Sequence, residues 1–219
     1  MAQDPPGDAT LGRPGEHDLD DLLASLEIAD VQLAEYAVRP AGRVSFPAID
    51  APSLYYVRVG HGRAVMGGGA TRPLRAHTLV LAPPDLTLSF EGALSDPSAT
   101  VPGSDAGGES ASPAHIAGFE DDGLVVIGGR IDVAFGDHVG LFAHLDAPIA
   151  ETFEASDRLG ERLHDALDEL AAGRAAGGAM AQALLVQVII ILLRRCLVSM
   201  NPFGERLTDA FPHFRRRMD

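Results

Sequence analysis

The chain has 219 residues, a formal net charge of −14, one cysteine and 17 basic residues, all of them arginine. This length suits one domain with an appendage, and it allows a hydrophobic core that needs no disulfide. The charge argues against direct binding to nucleic acid, and the lack of lysine excludes Schiff-base chemistry and a P-loop lysine.

The N-terminal part of the chain predicts a tail, a helix and two strands. Residues 1–17 are rich in Pro, Gly and Asp and are expected to be disordered. Residues 18–28 place leucines at i, i+3, i+4 and i+7, which predicts an amphipathic helix that seals a barrel. Residues 31–38 and Arg43–Phe46 are predicted as the first strands, joined by a Pro-Ala-Gly turn.

Residues 53–90 form the stretch on which the predicted fold is centred. The apolar runs SLYYVRV, RAVM, HTLVLA and LTLSF are separated by Gly-His-Gly, by three consecutive glycines and by Pro-Pro-Asp. Runs of this length between turn residues are typical of strands in one antiparallel sheet or barrel.

A low-complexity segment interrupts the predicted strands. Residues 92–114 consist mainly of Ser, Gly, Pro and Ala and predict a long flexible loop. Strands resume at residues 115–119 and 123–135, and the second run contains two adjacent glycines that indicate a bulge or a close backbone approach. Residues 137–149 are predicted to connect this strand to the helices.

Two helices are predicted at the C-terminal end. Residues 156–172 have one apolar face, and Ser156 is a suitable N-cap. Residues 178–198 differ, because only Gln187 is polar between residues 183 and 193, a run that is too short to span a bilayer. A helix apolar nearly all round must be covered on more than one side, so both a partner subunit and a wholly internal position remain open.

These elements resemble the cupin sensor domain of AraC-type transcriptional regulators. The similar segments are DLDDLLASL, LVLAPP after a Gly-x-Gly hairpin, GLVVIGGRIDVAF and DHVGLFAHLDAPI, followed by the helix pair. They run in the family's order from Asp18 to about Leu197, which is most of the chain. Gly128 and Ile131 depart from the family's pattern, which has Cys and Phe at these positions.

The resemblance implies a mainly β fold with C-terminal α-helices, in which a cupin-type double-stranded β-barrel is followed by a helix pair. The barrel would occupy residues 18–150, a helical dimerisation region residues 151–200, and a C-terminal tail residues 201–219. Helix residues expected at a homodimer interface are Leu184, Val188, Ile190, Ile191 and Arg194.

The resemblance also implies a function, namely a cytoplasmic ligand-sensing and dimerisation domain with a small-molecule effector. Full regulators of this family continue into helix-turn-helix units that bind DNA, and this sequence does not include them. A free-standing sensor and a truncated regulator both remain open. We expect no membrane association and no direct contact of this chain with nucleic acid.

A barrel of this size can hold one small molecule. The two faces of the strand at residues 53–59 differ, because Tyr56 and Arg58 share one face and Tyr55 lies on the other. Only one face can point inward, and an inward Arg58 would favour an anionic effector. The polar residues expected to contact a ligand are Tyr36, Tyr55, Tyr56, Arg58, Arg63 and His77.

Catalytic patterns are missing from the sequence. Metal-dependent cupins carry a His-x-His pair, where this chain has Tyr55 and Val57, and a later histidine, where it has Leu88. We therefore expect no metal, no cofactor and no catalytic residue. The alternative function is a small cupin enzyme that acts on a small molecule.

Overall fold

The structure is a computed structural model, and it describes residues 26–93, 109–110, 123–135, 142, 145–172 and 177–199. Five predictions therefore lie wholly or mostly outside the described residues: the tail at 1–17, the helix at 18–28, the loop at 92–114, the strand at 115–119 and the tail at 201–219. The connector at 137–149 is described only at residues 142 and 145–149.

Ten strands form two five-stranded sheets. The first sheet has the order β1-β9-β3-β6-β10 and the second the order β5-β4-β7-β2-β8. All neighbouring pairs are antiparallel except β2 and β8, which run parallel. The strands are β1 Leu26–Val38, β2 Arg43–Phe46, β3 Ser53–Val59, β4 His61–Met66, β5 Thr71–Arg75, β6 Thr78–Ala82, β7 Leu88–Gly92, β8 Glu109–Ser110, β9 Leu124–Phe135 and β10 Ile149–Thr152.

Two helices follow the strands, so the predicted fold class, mainly β with a C-terminal helix pair, is confirmed. Helix α1 spans Leu159–Ala172 and helix α2 spans Gly177–Ser199. The first helix begins later than predicted, because a 3₁₀ turn at Ala155–Asp157 precedes it and Arg158 then adopts a left-handed backbone with φ 57°. Ser156 therefore lies inside that turn and does not cap the helix.

The first sheet separates two hydrophobic cores. In β3, Tyr55 and Val57 pack into the core between the two sheets, whereas Leu54 and Tyr56 pack into a second core with the helices. Strand alternation sends successive side chains to opposite faces, so β3 is buried on both faces. The face that lines the barrel, which the sequence left open, is the face of Tyr55.

Three regions differ from the sequence-based predictions. Residues 26–28, predicted as the end of a helix, belong to β1, because Leu26 pairs with Phe135 and the buried residues Leu26 and Ile28 alternate with exposed Glu27. Of the predicted loop at 92–114, only residues 92, 93, 109 and 110 are described, so its flexibility stays a prediction; residues 109 and 110 form β8, which pairs with β2. Strands β5 and β10 were not predicted, because β5 has little apolar pattern and contains Pro73, and β10 has only four residues.

Gly128 lies on β9 at a close approach to β3. A Cβ atom at this position would meet the carbonyl oxygen of Leu54 and would lie 2.5 Å from Cδ1 of Tyr55. Both neighbours belong to the buried strand β3. The Gly-Gly pair was predicted to mark a bulge or a close backbone approach, and at Gly128 the structure shows the close approach.

We predict that Gly128→Ala lowers the free energy of unfolding by about 1 to 3 kcal/mol, because the added methyl group forces a shift in a packed core. Gly178→Ala is the control, since a Cβ there meets nothing within 4 Å. Urea unfolding followed by circular dichroism measures both. Equal stability of Gly128→Ala and the parent protein would contradict the close approach.

Candidate ligand-binding site

Aromatic side chains fill part of the space between the sheets. The Phe46 ring lies with its centroid 4.9 Å from Tyr36 and 4.7 Å from Tyr55, and Tyr55 lies 5.2 Å from Phe90. These separations are typical of edge-to-face and tilted aromatic pairs. The predicted ligand residues Tyr36 and Tyr55 therefore lie inside the barrel, in contact with other rings.

Burial extends the pH range in which the two tyrosine hydroxyls stay neutral, because it raises the pKa of both. It raises the pKa of Tyr55 to about 12, with a smaller increase from the charge that Tyr36 would carry and an opposing effect of the hydrogen bond to Ser53. Burial also raises the pKa of Tyr36. At neutral pH the barrel interior therefore carries hydroxyl groups without charge.

A cleft of about 420 Å³ lies where the two sheets part. Strand β5 ends the second sheet and β10 ends the first, so one edge of each strand has no neighbour among the described strands. The cleft lies between these two edges and has both polar and apolar walls. The walls include Arg72, Pro73, Thr78, Ile149, Glu151 and Thr152.

The polar residues of this cleft have two kinds of partner: the threonines contact each other, and Glu151 contacts the last helix. The hydroxyl oxygens of Thr78 and Thr152 lie 3.3 Å apart. Glu151 accepts a hydrogen bond from Ser199 Oγ at 2.8 Å and lies 3.7 Å from Arg195 Nε. Because both partners belong to the last turns of α2, one wall of the cleft is connected directly to that helix.

Tyr56 and His77 lie at the junction of the first sheet with α1. Tyr56 Oη lies 2.7 Å from His77 Nδ1, and His77 has a left-handed backbone with φ 67°. Burial raises the pKa of Tyr56, the Gly160 backbone N–H lowers it by hydrogen bonding, and the charge of Asp157 raises it. These two predicted ligand residues therefore connect the sheet to the start of α1 and do not line the barrel interior.

The two predicted arginines lie outside the barrel. Arg58 follows Val57 at a register shift in β3, and its Nη2 lies 2.9 Å from Glu35 Oε1. Arg63 forms an ion pair with Glu91 on the outer face of the second sheet. Of the two orientations that the sequence left open for Arg58, the structure therefore has the outward one, because the alternation in β3 gives the inward positions to Tyr55 and Val57.

The ion pair of Arg63 is part of a three-residue group on that outer face. Glu91 also pairs with Arg43, whose Nε donates to Glu91 Oε1 at 2.7 Å. Burial would raise the pKa of Glu91, but the two arginines outweigh this effect and hold the pKa below its usual value. This group links β2, β7 and β4 across the sheet.

The predicted dimerisation residues fall into different environments on α2. Val188 is completely buried within this chain, against the helix-facing core. Leu184, Ile190 and Ile191 are partly buried, and Arg194 is exposed. Val188 is therefore a core residue of the single chain, and the others remain available to a partner.

Helix α2 meets the length and composition of a membrane-spanning helix over Gly177–Cys196, with a mean hydropathy of 1.8. Residues 183–193, the apolar run considered in the sequence, are too short to span a bilayer; the apolar part of the helix is longer than that run. Core helices of soluble proteins meet the same criterion, and α2 buries Ala181, Leu185 and Leu192 in the helix-facing core. The criterion is thus met by a helix that packs on the first sheet.

The cleft residues were missed by sequence reasoning. Arg72 and Thr78 flank a turn, and Glu151 and Thr152 lie in a short edge strand, so no periodic pattern marks them. Their proximity depends on the two sheets ending at the same side. In the described part of the chain, no group of three or more His, Cys, Asp or Glu side chains is arranged to hold a metal ion.

No protein-family profile and no curated protein sequence matches the chain. Among solved structures, the chain is similar to ToxT from Vibrio cholerae, an AraC-family regulator. The match to an apo ToxT variant has a TM-score of 0.43 and 12% identity, and it covers 78% of this chain and 56% of that one.

Two further ToxT structures contain organic acids. The match to ToxT bound to an unsaturated fatty acid has a TM-score of 0.39 and 9% identity, covering 82% of this chain and 63% of that one. The match to ToxT bound to (E)-4-(8-methylnaphthalen-1-yl)but-3-enoic acid has a TM-score of 0.42 and 8% identity, covering 85% and 66%.

We predict that the protein loses stability between about pH 10 and pH 12. The pKa of Tyr55 is near 10 in the unfolded chain and about 12 in the folded one, so the folded state holds more protons in this window. Stability is complete below pH 10 and falls as the pH rises through 12, by up to about 1.4 kcal/mol per pH unit for this one group.

Tyr55→Phe should remove much of this loss, because the ionisable hydroxyl is gone. Tyr36 and Tyr56, whose pKa values are raised in the same direction, would leave a smaller remaining slope. Urea unfolding at pH 8, 10, 11 and 12 measures the effect. Parallel pH profiles for the parent protein and Tyr55→Phe would contradict it.

Proposed function

We propose that this chain is an effector-sensing and dimerisation domain of the AraC-like type, acting in the cytoplasm without catalysis. One observation carries the proposal: a cleft of ligand size has Glu151 in its wall, and Glu151 is hydrogen-bonded to Ser199 in the last turn of α2. A molecule in the cleft would thus lie one side chain away from a helix. Since two of the ToxT structures contain an organic acid, we extend a small organic effector to this chain.

The two ends of the helix pair have different connections to the sheet. At the start of α1, Tyr56 contacts His77 and receives the Gly160 N–H. At the end of α2, Glu151 contacts Ser199 and lies near Arg195. Movement of either connection would change how the helices lie on the first sheet, which gives the ligand a physical route to the helix pair.

A second copy of the chain is the partner that we propose for α2. Its outward face carries Met180, which is 55% exposed, together with Ala183 and Ile190. Exposed large apolar side chains are rare in the described part of the chain, where only Val59 shares this property with Met180. Of the predicted interface residues, we keep Leu184, Ile190, Ile191 and Arg194.

The charge of the protein shapes the proposed partners. With a net charge of −14, the chain would repel the phosphates of nucleic acid, so we propose no direct contact with DNA. We likewise propose no metal or cofactor, because sensing requires only that the effector binds and no reaction takes place. Information passes from a small molecule to an interface between proteins.

We predict that a stabilising ligand also changes the dimer affinity. A compound that binds only the folded state raises its stability by about 2.7 kcal/mol at a hundredfold excess over the dissociation constant. Thermal-shift screening with small acids, amides and sugars identifies such compounds, and sedimentation equilibrium then measures the dimer with and without them. Binding that leaves the dimer dissociation constant unchanged would contradict sensing.

We predict that Ile190→Glu weakens the dimer on the order of a hundredfold, because a buried unpaired charge costs several kcal/mol. Ala171→Glu is the matched control, since it adds the same charge at an exposed position of α1. Light scattering gives the mass, and circular dichroism confirms folding. A folded Ile190→Glu with the mass of the parent dimer, or a parent protein that is monomeric, would contradict this interface.

A further inference from the structure

We infer that the cleft between β5 and β10 binds a small organic monocarboxylate, with the Arg72 guanidinium as its anchor. This inference deepens the proposed sensing function and rests on it for its biological meaning. It assigns the ligand to the open side of the two sheets, because the described space between them is occupied by the rings of Tyr36, Phe46, Tyr55 and Phe90.

Arg72 lies on the inward face of the second sheet, at its edge. It pairs directly with Ala64, which is buried between the sheets, and residues directly opposite in an antiparallel pair share a face. Leu74, two residues further along β5, is buried in the same core. The side chain of Arg72 therefore extends from the core side of the sheet into the cleft.

The Arg72 guanidinium has no ion-pair or hydrogen-bond partner among residues 26–93, 109–110, 123–135, 142, 145–172 and 177–199. Arg43 and Arg63 pair with Glu91, and Arg58 pairs with Glu35. Arg39, Arg75 and Arg194 have no side-chain partner in these ranges either, and Arg72 is the one of these four arginines that lines the cleft. A guanidinium presents a planar fork of donors that fits the two oxygens of a carboxylate. An anionic ligand would supply the partner that the protein does not.

The other walls define the rest of the ligand. Pro148 and Ala150, which lies opposite the inward-facing Val80, offer apolar surface. The hydroxyls of Thr78 and Thr152 can hydrogen-bond to a polar atom. The volume of about 420 Å³ falls in the range of small-molecule pockets, roughly 300 to 1,000 Å³. A carboxylate with an apolar body of one ring and a short chain satisfies both kinds of wall.

Glu151 limits the ligand to one negative charge. Glu151 lies opposite Leu79 of the helix-facing core, so its carboxylate, only 13% exposed, lies behind the β10 wall, where it is engaged with Ser199 and Arg195. A second carboxylate on the ligand would lie near this negative charge without a cation of its own, and like charges in a partly buried site repel each other. The cleft therefore favours a monocarboxylate over a dicarboxylate.

The test uses the full chain with 3-phenylpropanoate and its neutral amide, 3-phenylpropanamide, as probes in isothermal titration calorimetry. We expect the acid to bind at least about tenfold more tightly than the amide, and Arg72→Gln to raise the dissociation constant of the acid about tenfold or more. Arg75→Gln is the matched control: Arg75 lies three residues away on β5, and His61, the residue opposite it in β4, is exposed. It should change binding by less than about twofold.

Arg72→Lys provides a second variant that retains the charge but loses the planar fork, and it should bind the acid with intermediate affinity. Equal binding of acid and amide, full binding by folded Arg72→Gln, equal losses in the Arg72 and Arg75 variants, or no binding of the acid would each overturn the carboxylate site. The sensing function is judged separately, by whether any compound from the wider screen changes the dimer affinity.

Discussion

Burial of the first sheet on both faces is the constraint on which the rest of the structure depends. One face needs the second sheet and the other needs the helices, so neither layer can be removed without exposing a set of large apolar side chains. The central strands β3 and β6 consist almost entirely of buried residues, which explains why they lack the alternation of polar and apolar residues found in half-exposed strands. The helices are thus part of the core rather than an attachment to it.

The same constraint explains where polar chemistry occurs. Within the covered sheet, polar side chains have partners: Tyr56 is hydrogen-bonded to His77, Tyr55 to Ser53, and Arg58 is paired with Glu35. At the edge of the sheet the coverage ends, and Arg72, Thr78 and Thr152 can reach a partly solvated space. A protein with so few buried polar groups has little room for a binding site other than at such an edge.

The sequence was informative where a pattern is local. The strands β3, β6 and β7 could be predicted from short apolar runs between Gly and Pro turns, and α2 from its long apolar run. The pairing of edge strands is not local, so β5 and β10 were missed, and the cleft between them was missed with them. The orientation of Tyr55 against Tyr56 was also out of reach, because a strand buried on both faces gives no polar side to identify.

Long-range pairing also decided the outcome at the start of β1. The leucines before Leu26 have helical spacing, but residues 26–28 are drawn into the sheet by β9, whose length offers partners up to Phe135. Local helical propensity at this point is weaker than the row of main-chain hydrogen bonds to β9 together with the burial of Leu26 and Ile28. The leucine spacing at residues 18–28 carries no information on the length of β9, which lies about a hundred residues further along the chain.

Pro73 in the terminal strand β5 has a consequence for the behaviour of the protein at high concentration. A free strand edge is a template on which another chain can add a strand, and such growth leads to open-ended aggregates. Proline has no N–H to offer to an incoming strand. If the incoming strand were β5 of a second copy, its arginines would also repel Arg72 and Arg75, which lie on either side of Pro73. The strand that borders the cleft is therefore protected against fibre-like association while it stays open to a small molecule.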